Sequence, residues 1–123
     1  MSMELQVLQG EFTVCQIADI NQVDLSHENT FLSVTTDEIS LVCESVHVPK
    51  NSTAVEPNWR ALKVAGILDF GMVGVIAKIS NILAEAKISL FVISTYNTDY
   101  ILIKQDSFEA VIGELSNKGY VIK

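Results

Sequence analysis

The second half of the chain carries hydrophobic residues at a period of two, then of 3.6, then of two again, and this alternation restricts the folds open to it. Leu62 and Val64 alternate with Ala61 and Lys63, which predicts a strand ending near residue 67 or 68. Helical spacing then predicts a helix from Gly74 to Ala86. Its apolar face comprises Val75, Ile76, Ile79, Ile82, Leu83 and Ala86. A strand followed by a helix therefore opens this half.

Two further strands and the start of a second helix follow. β-Branched and aromatic residues predict strands over Ser89–Thr95 and Tyr100–Lys104, joined by the turn Tyr96–Asp99. Asp106 and Glu109 have the spacing of a capping box, which predicts that a helix begins there. Its apolar stripe comprises Phe108, Val111, Ile112 and Leu115.

The order of these elements indicates the fold class. Gly119 is a suitable stop for the second helix, and Tyr120–Ile122 predicts a short closing strand. The resulting order of strand, helix, strand, strand, helix, strand is the ferredoxin-like βαββαβ plan. In that α+β fold both helices cover one face of an antiparallel sheet.

The first half is interpreted as a degenerate copy of the same plan, with a strand, a short helical turn and a hairpin. These are Glu11–Ile17, Ala18–Leu25, and the strands Phe31–Thr35 and Ile39–Glu44 around Asp37 and Glu38. A second helix is missing or very short, and the sheet is expected to borrow Leu5–Leu8 or a strand from the other half. A polar, turn-rich linker over residues 49–58 predicts two domains, 1–56 and 57–123.

The charge of the chain limits its partners. The formal net charge is -7, which argues against nucleic acid and anionic membranes, since both require a basic surface. Residues 1–56 hold nine carboxylates against Lys50 alone, a net charge of -8, whereas residues 57–123 carry +1. The asymmetry fits either a solvated acidic surface or the electrostatic orientation of two copies.

Cysteine usage and hydropathy indicate the compartment. Cys15 and Cys43 each lie in an apolar run, without a secretory leader before them, so we expect reduced and buried thiols. No stretch approaches the roughly 18 apolar residues that a membrane span needs. We therefore expect a soluble, cytoplasmic protein.

Catalysis finds little support in the sequence. His27 and His47 lie in polar surroundings, and neither is placed beside a nucleophile and an orienting group. The chain has no Gly-x-Gly-x-x-Gly motif, no Walker loop and no Cys-x-x-Cys metal spacing, so we expect neither cofactor nor metal. Both histidines are interpreted as surface residues.

Two segments could bind a small molecule. The first is the turn before the first helix, whose backbone N–H groups and helix dipole could receive a carboxylate. Its residues are Asp69, Phe70, Gly71, Met72, Val73 and Gly74, followed by Val75. On spacing alone a tight strand-to-helix turn is the favoured alternative, because such turns need glycine for their geometry.

The second segment is the hairpin end, where Ser94, Thr95, Thr98 and Asp99 gather hydroxyls and a carboxylate that could pair with an ammonium group. A turn in which the polar side chains bond to their own backbone explains the same residues, and without comparison it is the favoured interpretation.

These two segments belong to a longer pattern. Trp59–Phe70, Gly74–Ala77, Leu83–Ala86 and Ile93–Leu102 together resemble small bacterial ACT-domain proteins. The pattern is also similar to one half of the CASTOR arginine sensors and, more distantly, to the regulatory part of aspartokinases. The resemblance is weak before Trp59 and strong up to Lys118, and its most specific motif is Ser-Thr-Tyr-x-Thr-Asp followed by an aromatic residue.

The resemblance implies amino-acid ligands held between ACT units, often across a subunit interface. It implies that residues 71–75 enclose the ligand and that Thr98 and Asp99 face its amine. Ser89 and Leu90 match residues that approach the ligand carboxylate from a neighbouring unit. Gly71-Met72-Val73 stands where relatives vary most, so the resemblance leaves the ligand's identity open.

The sequence thus predicts a non-catalytic regulatory module that binds an amino acid, forms a homodimer and passes occupancy to a regulated protein partner. A ligand-free dimerisation domain is the main alternative. An enzyme that uses Asp99 or His27 is a weaker one, because acid-base catalysis needs mutually placed groups.

Overall fold

A computed structural model describes residues 3–65 and 74–123. Within them, strands and helices follow each other in nearly the predicted order. They are β1 (Glu4–Val7), β2 (Phe12–Ile17), β3 (Phe31–Val34), β4 (Ile39–Glu44), β5 (Ala54–Val64), α1 (Val75–Glu85), β6 (Phe91–Ser94), β7 (Asp99–Lys104), α2 (Phe108–Asn117) and β8 (Val121–Ile122). Two compact units result: Gly10–Trp59, here the N-unit, and Met1–Gln9 with Arg60–Lys123, here the C-unit.

The sheet of the C-unit has the strand order β6-β7-β5-β1-β8. β1 lies antiparallel to β5, with Leu5 opposite Val64, and parallel to β8, with Leu5 opposite Ile122. β1 therefore lies between the first and last strands of the predicted βαββαβ order. The ferredoxin-like fold class is confirmed.

The core of the C-unit lies between one sheet face and the two helices. α1 contributes Ile79 and Leu83, and α2 contributes Val111 and Leu115; all four are fully buried. They pack in one cluster with sheet residues Leu5, Leu62, Val64, Ile101 and Ile103. Residues three and four apart share a helix face, whereas alternate residues share a sheet face, so the sequence periods predict this cluster.

Both helices end in the same hydrogen-bonding motif. After α2, Gly119 has a φ of 94°, its N–H donates to Ser116, and the N–H of Tyr120 donates to the carbonyl of Leu115. This is a Schellman motif, which confirms the glycine stop. The predicted capping box at the start of α2 is wrong: a 3₁₀ turn, Gln105–Ser107, precedes the helix, and no side chain caps it.

After α1, Lys87 takes the place that glycine holds after α2. The N–H of Lys87 donates to Ala84, that of Ile88 donates to Leu83, and Lys87 has a φ of 61°. A side chain in this left-handed conformation costs roughly 1–2 kcal/mol. α1 therefore ends with a strained residue.

We expect Lys87→Gly to raise the free energy of unfolding by about 1 kcal/mol, because glycine adopts a positive φ without that penalty. Lys118→Gly is the matched control, since Lys118 has a φ of -95° and gains nothing from glycine. Urea denaturation of both variants measures the difference. Equal loss of stability in the two variants would contradict the expectation.

The N-unit is a reduced form of the same plan. Its strand order β3-β4-β2-β5 is that of a ferredoxin-like sheet, and 3₁₀ turns at Ile20–Gln22 and Ser45–His47 stand where the helices would be. The interpretation as a degenerate copy is therefore confirmed. Two sources were expected for the remaining strand, Leu5–Leu8 or a strand from the other half. Leu5–Leu8 is not the source, because β1 pairs in the C-unit. Residues 54–59 supply it, and their strand β5 continues into the predicted second domain.

The polar segment predicted as a linker is partly strand. β5 begins at Ala54, and its pairing with β2 shifts register between Phe12, opposite Trp59, and Val14, opposite Glu56. Pro57 and Asn58 occupy this bulge. Proline is tolerated at a bulge, because the ladder does not need a backbone N–H there, and Asn58 adopts a φ of 73°. Turn-forming residues here mark a bulge rather than a break in the strand.

Cys15 and Cys43 are unpaired and buried in the N-unit, as predicted. Burial raises the pKa of both thiols, that of Cys43 to about 11, with a smaller contribution from the neighbouring Cys15. Cys15 lies opposite Leu41 and Cys43 opposite Thr13, so the two cysteines are diagonal neighbours. Diagonal Cα atoms are about 7–8 Å apart, beyond the reach of an unstrained disulfide.

Candidate functional site

A buried hydrogen bond joins the β6–β7 turn to the end of β5. The Thr98 hydroxyl donates to the carbonyl of Val64 at 2.7 Å, and Thr98 is only 3% exposed. Val64 is the last residue of β5, the strand that precedes α1 in the chain. The bond therefore fixes the turn beside the end of the strand that leads into α1.

The turn itself is closed by Thr95. Its N–H donates to the Thr98 carbonyl at 2.8 Å, and its hydroxyl donates to the same carbonyl at 2.9 Å. Thr95 and Thr98 were both predicted to contact ligand. In this structure their hydroxyls donate to protein carbonyls: that of Thr95 within the turn, as the alternative interpretation has it, and that of Thr98 to Val64.

Asp99 differs from these threonines. It is the first residue of β7, lies opposite Ser94, and shares a sheet face with Ile101 and Ile103, since alternate strand residues point the same way. That face packs against α1 and α2. Asp99 is half-buried, and within residues 3–65 and 74–123 no group bonds to its carboxylate.

The start of α1 offers backbone donors. Gly74 is the N-cap, with a φ of 82°, and it has no side chain to bond to the first N–H groups of the helix. Val75 packs against the C-unit core, which fixes the first turn. The other predicted residues of this loop, Asp69, Phe70, Gly71, Met72 and Val73, lie outside the described residues.

Ser89 and Leu90 lie elsewhere in the C-unit. They follow the end of α1 and precede β6, whereas Ser94 ends β6. At roughly 3.3 Å per residue, Ser89 is on the order of 15 Å from Ser94. Ser89 and Ser94 are exposed, and Leu90 packs on the core. A single C-unit therefore does not bring Ser89 to Asp99.

The sequence did not indicate a histidine pair in the N-unit. The rings of His27 and His47 stack with centroids 3.6 Å apart, and Asp24 lies 3.3 Å from Nε2 of His27. Hydrogen bonds from Ser26, and more weakly the two imidazoles, hold the pKa of Asp24 below its usual range. The two histidines are 20 positions apart, and no local pattern in the sequence indicates that they are in contact.

The described part of the chain offers neither a metal-binding cluster nor a membrane-spanning helix. Among residues 3–65 and 74–123, no three histidine, cysteine or carboxylate side chains are placed to hold a metal ion. In the same residues no helix has both the length and the hydropathy to span a bilayer.

Comparison with known proteins supplies a family. A family model described as ACT domain matches residues 54–117. The cytosolic arginine sensor for mTORC1 subunit 1 is 38% identical over 61 residues in both Homo sapiens and Bos taurus. That stretch is 49% of this chain and only 18% of the sensor's length.

Solved structures share the fold over most of the chain. A crystal structure of an Agrobacterium tumefaciens protein covers 100% of this chain and is itself covered to 93%, with a TM-score of 0.88 and 24% identity. The ligand-free regulatory subunit of Thermus thermophilus aspartate kinase covers 92%, and 95% of it is covered, with a TM-score of 0.63 and 9% identity.

Proposed function

The chain belongs to the ACT domain family, and we propose that it is a non-catalytic regulatory module that binds an α-amino acid. The observation that carries the proposal is the Thr98–Val64 hydrogen bond, which fixes the turn before Asp99 beside the end of β5. Asp99 receives the ligand's ammonium group, and the backbone at Gly74 and Val75 receives its carboxylate. A carboxylate and a helix N-terminus complement the two charges of an α-amino acid.

The site is shared between two copies of the chain. Ser89 and Leu90 lie at the far end of β6 from Ser94, so a neighbouring copy would have to supply them to the ligand. In the described ranges 3–65 and 74–123, β3 and β6 stand at the ends of the two strand orders, and the edge of a sheet is commonly covered by a partner. The resulting assembly is a homodimer.

We expect sedimentation at micromolar concentration to give a dimer, because half of each site comes from the other copy. Amino-acid binding and dimerisation are then linked, and ligand should lower the dimer dissociation constant. A monomer at every concentration, with and without ligand, would contradict the shared site.

The relatives support the ligand class. The human and bovine relatives are arginine sensors, and the structural neighbours include the regulatory subunit of an aspartate kinase. The module acts in the cytoplasm. Its two unpaired cysteines fit that compartment, because thiols are kept reduced there.

Mass spectrometry of small molecules released on denaturation tests the proposal first, and calorimetry against the twenty amino acids tests it second. A released amino acid, or one that binds with one site per chain, supports the proposal. If a folded dimer releases no amino acid and binds none, the ligand-free dimerisation domain is favoured instead.

A further inference from the structure

Loop 24–29 of the N-unit lies before β3 and contains neither strand nor helix, and four of its six residues are exposed. In the described structure its hydrogen bonds are local: the N–H and the hydroxyl of Ser26 both donate to the Asp24 carboxylate, at 2.9 and 2.6 Å. His27, in the middle of the loop, stacks on His47. The stack of two imidazoles therefore holds the middle of the loop on the N-unit.

The 3₁₀ turn that carries His47 is anchored at both ends. The N–H of Ser45 donates to the Glu11 carbonyl at 2.9 Å, and the Ser45 hydroxyl shares a 2.7 Å hydrogen bond with that of Thr13, a buried residue. Val48, which follows the turn, packs against the N-unit core. His47 therefore stands on a fixed turn, and loop 24–29 rests on it through His27.

The geometry of the stack makes it sensitive to charge. The ring centroids of His27 and His47 are 3.6 Å apart and the ring planes are 7° from parallel, so the rings lie face to face. Their side chains are 38% and 31% exposed, so protons from solvent reach both rings. Histidine ordinarily changes its charge between about pH 5 and 8. When both rings are charged, two like charges face each other across the stack and repel.

Carboxylates near the rings do not cancel this repulsion between the loop and the turn. Asp24 lies 3.3 Å from Nε2 of His27, and Glu44 lies 4.0 Å from Nε2 of His47. Each carboxylate is three residues from its histidine in the chain, so both attractions persist when the loop and the turn separate. Hydrogen bonds from Ser26 contribute most to the lowered pKa of Asp24, and the attraction of His47 across the stack contributes least.

We propose that the stacked histidines form a proton-sensitive clasp, which holds loop 24–29 while at most one ring is charged and releases it when both are charged. The remaining charged residues nearby, Glu28 and Lys50, are exposed, and in the described structure neither pairs with a ring. The open state binds the second proton more tightly than the closed state, so a fall in pH favours opening. The clasp lies in the N-unit and is independent of the proposed amino-acid site at Asp99.

The test measures backbone order by ¹⁵N relaxation on the full chain, at about pH 7.5 and at about pH 5.5, which lie on either side of the ordinary titration of histidine. In the native chain the order parameters of Ser26, His27 and Glu28 should fall from about 0.85 to below about 0.6 as the pH is lowered. The amide of Asp37, at the tip of the β3–β4 hairpin, is the internal control and should keep its order parameter.

Variants of the clasp separate the charge of the ring from its contact. His47→Phe keeps a flat ring for stacking but cannot be protonated, so the loop should stay ordered at both pH values. His47→Ala and His27→Ala each remove one ring, so the loop should be disordered at both. All carboxylates remain in these variants, so any effect of their own protonation would appear in His47→Phe as well.

Three results would overturn the proposal. Unchanged order of the loop at both pH values in the native chain would mean that protonation does not open it. The same loss of order in His47→Phe as in the native chain would assign the pH response to other groups. An ordered loop at about pH 7.5 in both alanine variants, with the fold intact by circular dichroism, would mean that the stack does not hold the loop.

Discussion

Asp99→Ala should weaken amino-acid binding by roughly tenfold to a hundredfold, equivalent to about 1.5–3 kcal/mol for one charge-assisted hydrogen bond. The carboxylate is half-buried at the start of β7, and no group among the described residues satisfies it. A ligand ammonium group would therefore supply its partner. Calorimetry with the amino acid that the native chain releases or binds measures the loss.

The fold should survive this change, because a half-exposed carboxylate without a protein partner contributes little to a core. Asp99→Asn keeps the shape and removes the charge, so it should lose nearly as much affinity as the alanine variant. Asp106→Asn is the matched control, since Asp106 is exposed in the 3₁₀ turn before α2. Unchanged affinity in Asp99→Asn, or equal loss in Asp106→Asn, would remove Asp99 from the site.

The sequence predicted the elements of the C-unit because their signals are local and periodic. The buried faces of α1 and α2 are predicted by apolar residues three and four apart in the sequence. The end of α2 is predicted by Gly119, which has a φ of 94° in the structure. The end of α1 shows the limit of such signals. Lys87 makes the same motif at a φ of 61°, and lysine carries no local signal for it.

The parts that the sequence could not predict depend on distant residues. β5 continues through Pro57 and Asn58 because they form a bulge opposite β2, and that register depends on a strand some 40 residues earlier. The two candidate site segments were chosen from composition and resemblance, and neither indicates the partner of Thr98. Its hydroxyl bonds to Val64, 34 residues away, so a distant residue that no local signal indicates holds the turn.

Thr98→Val should lower the free energy of unfolding by about 1–2 kcal/mol, because valine keeps the volume but removes a buried hydrogen bond. The Val64 carbonyl would lose a donor at 2.7 Å in a fully buried part of the sheet. For a chain of 123 residues, each kcal/mol of lost stability lowers the melting temperature by roughly 3–6 °C. Thermal melting monitored by circular dichroism measures it.

Variants of Thr98 also show whether its hydroxyl positions Asp99 or contacts the ligand directly. If Thr98 acts by positioning Asp99, then Thr98→Ser should retain most of the amino-acid affinity at a stability cost of about 0.8 kcal/mol for the lost methyl group. Thr98→Val should lose affinity along with stability. Thr36→Val, at the exposed tip of the corresponding N-unit hairpin, should change neither by more than about 0.5 kcal/mol. Loss of affinity in Thr98→Val without any loss of stability would mean that the hydroxyl contacts the ligand itself, and that the bond to Val64 is not what fixes the turn.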